Sequence, residues 1–217
     1  ATTHTLLYTF GNTSGTIATG VGASVSWTPG LTLAAQIPSA TSGTCTITCQ
    51  SYNGGVFTGT RTYTLTLNVP STIVPSISSV TVEDTNTTVA TRIQAYVKTL
   101  STLSVDITAT GSYGSTVTSY RTSLDGVTYT AASFTASKKL SASGDMTLTV
   151  TVTDSRGRTA TYTETLTVLD YSYPSIRLFK ADRCNSDGSA AQLDGTNVRY
   201  SFEGGVVSLN NKNALAC

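Results

Sequence analysis

The single histidine, His4, and the four cysteines, Cys45, Cys49, Cys184 and Cys217, are the side chains whose types suit nucleophilic or metal chemistry. A Ser-His-Asp or Cys-His arrangement needs its imidazole beside a nucleophile and an orienting carboxylate. The sequence around His4 offers neither, so it reads as a surface or strand-edge histidine. Cys45 and Cys49 lie four residues apart in an alternating run, which on a strand separates them by roughly 13 Å. That is too far to share an ion or a disulfide, and both read as small buried hydrophobes. A disulfide between Cys184 and Cys217 stays open. Without framework spacing, the four cysteines read as reduced thiols, compatible with assembly in a bacterial cytosol.

The acidic residues give little more. The stretch "DRCNSDGSAAQLDG" (182–195) holds Asp182, Asn185, Asp187 and Asp194, but the closing glutamate of a calcium loop is missing. Turn-forming Asx and Gly account for it. Glu164 falls between Tyr162 and Leu166 in an apolar row, where an inward charge on an edge strand discourages aggregation. A glycosidase needs a facing carboxylate pair, and the glutamates number three, at 83, 164 and 203. The expectation is a non-enzyme with no catalytic, cofactor or metal residues. Sugar recognition would need aromatic platforms. Trp27 alternates with Ala23 and Val25 and Tyr120 lies on a central strand, so both read as core; Tyr113 and Tyr129 remain as possible glycan contacts.

The elements that carry these residues are strands. Charged residues make up 12% of the chain and hydrophobic ones 39%, about half the usual charge. Threonine, at 44 residues, is β-branched and suits the solvated row of a strand. The formal net charge of +1 and scattered basic residues argue against nucleic acid. No apolar run approaches the eighteen or so residues that cross a bilayer, and "ATTHTLLYTF" has no signal-peptide pattern, so membrane insertion is not expected.

The chain repeats itself. "TYTLTLNVPSTIVPSI" (62–77) and "TYTETLTVLDYSYPSI" (161–176) align without a gap at an offset of 99 residues. Ahead of them, Cys45, Ile47 and Cys49 alternate with threonines, as do Met146, Leu148, Val150 and Val152. That is period two, one apolar face and one hydroxyl face. Asn53-Gly54-Gly55 and Asp154-Ser155-Arg156-Gly157 supply the turns, so each repeat closes with a long antiparallel hairpin.

A period near 100 residues with short alternating strands predicts an all-β chain of tandem immunoglobulin-like β-sandwich domains. The middle domain spans 75–173, with strands at 76–82, 91–97, 103–109, 116–124 and 128–130 before its hairpin. Val89, Ile93, Tyr96 and Leu100 would also line a helix face, but the alternation of Ile93, Ala95 and Val97 favours a strand. The first domain, 1–74, is expected to lack its opening strand. The third, 174–217, is expected to hold only opening strands, so a homo-oligomer formed by strand exchange is one expectation. Proline-terminated junctions without a flexible linker predict a semi-rigid rod.

Several stretches carry a resemblance: "HTLLYTFGNTSGTIATG", "SWTPGLTLAAQIPSATSGTCTITCQSYNG", "TVTDSRGRTAT", "RCNSDGSA" and "SLNNKNA". Together they resemble a family of minor structural proteins from tails of siphophages that infect Gram-positive bacteria. The resemblance implies a virion component at the tail tip or in a fibre, assembled in the host cytoplasm. It serves there as a spacer or in host attachment, beside other phage tail proteins. It implies contact with cell-wall polysaccharide or a host surface protein only in the attachment role, and it brings no catalytic residues. The alternatives are a bacterial cell-surface adhesin or stalk and a carbohydrate-binding module.

Overall fold

The structure, a computed structural model, describes residues 1–190 and 195–214. The first strands are β1 (Thr2–Phe10) and β2 (Thr13–Val21); after a short 3-10 helix (Leu31–Gln36) come β3 (Ser42–Asn53) and β4 (Val56–Asn68). They form one antiparallel sheet in the order β2-β1-β3-β4. The alternation works as expected. Cys45 and Ile47 turn inward with Phe10, and Leu33 of the 3-10 helix joins them in one apolar cluster. Trp27 packs on that cluster and stacks its ring on Tyr8 at 5.0 Å between centroids. The β3–β4 turn uses Gly54 and Gly55 at φ 55° and 84°, a left-handed pair that strand twist favours in two-residue hairpins.

The middle of the chain holds β5 (Ser76–Asp84), helix α1 (Thr87–Arg92), β6 (Tyr96–Val97), β7 (Leu103–Thr110), β8 (Val117–Leu124), β9 (Val127–Tyr129), β10 (Ser133–Thr135), β11 (Gly144–Asp154) and β12 (Thr159–Leu169). Two sheets result, β10-β7-β5 and β6-β12-β11-β8-β9. Each buries one alternating row: Leu103, Val105 and Ile107 on β7, and Leu148, Val150 and Val152 on β11. Buried rows on two sheets are what a two-layer sandwich turns inward. Asp125-Gly126 closes the β8–β9 hairpin, with φ 48° and 74° and Leu124 opposite Val127. The chain then ends its regular structure in a two-stranded ribbon, β13 (Ser175–Cys184) with β14 (Asn197–Gly205).

One expected strand is a correction. Residues 91–97 do not run as a strand: α1 occupies 87–92, and only Tyr96–Val97 pair, in parallel, with β12. Asn86 caps the helix, its side-chain oxygen accepting from the Val89 amide, which satisfies a donor that the first turn leaves open. Val89 is buried with Val97 and Leu209, and Ile93 packs beside them. The helical spacing of Val89 and Ile93 therefore outweighs the alternation of three residues.

The described residues divide into two compact units. One comprises Ala1–Thr81, Asp106–Ser133 and Thr149–Thr163; the other Val82–Val105, Phe134–Leu148 and Glu164–Cys217.

Candidate functional site

The densest polar construction is in the first unit, at the turn Asp154-Ser155-Arg156-Gly157-Arg158. The Asp154 carboxylate accepts the amides of Arg156 (3.0 Å) and Arg158 (2.9 Å), a local turn that Asp forms readily. Gly157 takes φ 75°, and the two arginines leave the turn with their directions fixed.

Arg156 is 7% exposed and gives its guanidinium to four carbonyls. Nε donates to Ile37 (3.3 Å), Nη1 to Ser112 (2.7 Å), and Nη2 to Ala34 (2.8 Å) and Tyr113 (2.7 Å). Arg158 donates to the carbonyls of Ile73 (2.7 Å), Val69 (2.6 Å) and Pro70. Ser155 adds a hydroxyl bond to Pro38 O (2.6 Å), and the Ser112 hydroxyl donates to Val74 O (2.6 Å). Gly114, at φ 82°, completes the contact, because a Cβ there would stand 3.1 Å from Ala35 Cα.

This cluster joins the end of the first repeat, 69–74, and its 3-10 helix to two turns of the middle repeat. Planar guanidinium forks suit such convergent acceptors. Sequence reading saw only turn-forming residues here, because the acceptors are backbone carbonyls more than forty residues away. The available signal was the contrast between two arginines in this turn and none in Asn53-Gly54-Gly55.

His4 is placed differently from expectation. Register sets it opposite Ser51, and its Nδ1 lies 3.0 Å from Ser51 Oγ and 3.8 Å from Cys49 Sγ. A thiol does stand beside the imidazole, and Cys49 is half-buried, not a core hydrophobe. Cys45 is fully buried, and burial pushes its thiol up. The pairing of Cys184 with Cys217 lies outside the described residues.

Glu164 shares an open cavity of about 480 Å³ with Asp84 and Tyr96 in the second unit. Burial raises the Tyr96 phenol above its ordinary range, with the carboxylates of Glu164, Asp84 and Glu83 adding to it. The phenol donates to Val82 O at 3.1 Å, and Asp84 accepts the amides of Asn86 (2.9 Å) and Thr102 (3.2 Å). Strand β12 is no simple edge, since β6 pairs with it at Val168 and Leu169. Among the described residues, no group of three or more His, Cys, Asp or Glu is placed to hold a metal. In the 182–190 stretch, Asp187 accepts the Ser189 amide and hydroxyl, the hydroxyl bond holding its carboxyl below the usual range. Asp182 pairs with Lys180 at 2.9 Å, and Asp194 lies outside the described residues.

Of the two candidate glycan contacts, Tyr113 is exposed in the 111–114 turn, while Tyr129 is half-buried on β9. Tyr120 is half-buried. The apolar cavity beside the 3-10 helix holds about 140 Å³, below the usual size of small-molecule pockets.

Among protein families, the one described as "Siphovirus protein of unknown function (DUF859)" matches residues 1–196. No curated protein matches the chain. Among solved structures, the chain is similar to the fibronectin(III)-like modules of Clostridium thermocellum CbhA. The identity is 12% and the TM-score 0.33, over 76% of this chain and 78% of that one.

Proposed function

The chain belongs to this siphovirus protein family, and on that premise we propose that it is a non-enzymatic structural component of the phage tail, at the tip or in a fibre. Its work is mechanical: it spaces and holds neighbouring tail proteins. The observation that carries this reading is the arginine joint. Arg156 and Arg158 give these guanidinium bonds to backbone carbonyls, with no carboxylate among the acceptors. Fastening one repeat to the next through main-chain acceptors suits a part that must transmit force. Such bonds hold position without offering chemistry to a substrate.

The test is composition. Purified virions, separated into heads and tails, should contain the chain in the tail fraction by mass spectrometry. Its absence from the virion would overturn the proposal.

Exposed Tyr113, beside the joint, favours one second reading, attachment to cell-wall polysaccharide. An aromatic face can stack on a sugar ring. Binding of the chain to whole Gram-positive cells, lost in Tyr113→Ala, would support attachment, whereas no retention on cells would leave the spacer role alone.

A further inference from the structure

We propose that the cavity between β12 and the segment after α1 binds an amino sugar, its protonated amine held by Glu164 and Asp84 and its ring set against Tyr96. The repeat singles out the position. The alternating row of β4 reads Tyr63, Leu65, Leu67 and Val69, and 99 residues on β12 reads Tyr162, Glu164, Leu166 and Val168. One leucine of the row has become a carboxylate. Leu166 and Val168 are buried and Glu164 is half-buried beside them, where a charge is costly unless something meets it.

The fold opens a cavity at that side chain. Strand β6 pairs with β12 at Val168 and Leu169. Ahead of that pairing, residues 94–96 and 164–167 face each other across about 480 Å³, within the range of small-molecule sites. The walls are fixed by the backbone. Val89 O accepts the amides of Ile93 (2.9 Å) and Gln94 (3.1 Å), which ends α1. Gln94 keeps its amide side chain on the cavity at φ 58°, where glycine would be less strained. Asp84 Oδ1 accepts the amides of Asn86 and Thr102, while its Oδ2 is buried with no hydrogen-bond partner among the described residues. The Tyr96 phenol is tied to Val82 O. All of this lining belongs to the middle repeat and to the second unit.

The polar groups select the ligand. Carboxylates accept hydrogen bonds and cannot donate them, so the ligand must bring donors. Among the described residues, the lining holds no Lys, Arg or His to attract an anion, and no three acidic, His or Cys side chains converge to hold a metal. A protonated amine supplies both the donors and the opposite charge, including the bond that Asp84 Oδ2 lacks. Tyr96 adds an aromatic wall, which suits a cation or the C–H face of a sugar. Gln94 can give and accept bonds from ring hydroxyls. The unbranched stem of a lysine would leave much of the volume empty, whereas a pyranose ring occupies it.

Calorimetric titration of the chain with glucosamine, N-acetylglucosamine and lysine amide tests this. Glucosamine should bind saturably. N-acetylglucosamine has the ring without the charge and should bind about tenfold or more weakly. Glu164→Leu, which restores the residue of the first repeat, and Glu164→Gln should keep the wild-type circular dichroism and weaken glucosamine binding by a similar factor. Tyr113→Ala should bind as the wild type does, which separates this cavity from the exposed tyrosine beside the joint. The absence of saturable heat with glucosamine overturns the proposal and leaves the tail assignment standing. Equal affinity for N-acetylglucosamine overturns it too, as does unchanged binding in both folded Glu164 variants. Lysine amide binding as tightly as glucosamine would mean that the amine alone is read, and would overturn the assignment to a sugar.

Discussion

Arg156 carries a permanent charge into the protein and meets it with oxygen dipoles. Removing it takes a charged donor from four carbonyls; those of Ala34, Ile37 and Ser112 keep the amides of Ile37, Ala40 and Ser115, while that of Tyr113 loses its guanidinium bond, and a buried acceptor left unsatisfied costs about 1–3 kcal/mol. Arg156→Ala should therefore lower stability by about 1–3 kcal/mol in urea unfolding. Arg156→Lys should recover little, since one ammonium cannot spread over four directions. A loss under about 1 kcal/mol in the alanine variant would mean that water replaces the guanidinium without penalty. Thr122 behaves in the opposite way. It is fully buried, and its hydroxyl finds no partner among the described residues. Thr122→Val keeps the shape and removes an unsatisfied group, so the same measurement should show no loss or a gain of about 1 kcal/mol. His4 and Cys49 teach a related lesson: residues 45 apart became neighbours through strand register, which no local spacing announces.

At the scale of elements, two similar exits are held by different chemistry. After β4, the segment 69–73 is gripped by Arg158 and leads to buried Pro75; after β12, Asp170 pairs with Lys98 at 3.0 Å and Pro174 is exposed. The hydrogen bond from Lys98, and its charge next, hold the Asp170 carboxyl below its ordinary 3.8. A depressed carboxylate contributes stability that is present above the unfolded value and lost as pH falls through the folded one. Lys98→Met should thus be slightly less stable than wild type at about pH 6 and equal to it near about pH 2. Because the pair is exposed, added salt should shrink the difference. A gap that persists in acid would assign the effect to the packing of the lysine stem instead. Hairpins were the readable elements: Asn53-Gly54-Gly55 and Asp125-Gly126 name their own turns. Helix α1 is hidden in the sequence because Ile93, Ala95 and Val97 mimic a strand while its cap, Asn86, lies outside that window.

Across the whole molecule, protection should be uneven. Amides of β7 and β11, which carry the fully buried Leu103, Val105, Leu148, Val150 and Val152, should exchange slowest with deuterium, and those of β13–β14 fastest in dilute solution. Equal protection of ribbon and core strands would contradict this expectation.

Sequence by itself determined the class of this protein. Period-two alternation, threonine-coated faces and glycine turns act within a few residues, so strands, hairpins and the 99-residue repeat are already written in local order. Tertiary structure alone decided what those strands hold in common. The carbonyls that receive Arg156 and the thiol that meets His4 depend on register and on segments tens of residues apart. Backbone acceptors are chemically alike at every position, and only folding selects which of them a side chain reaches.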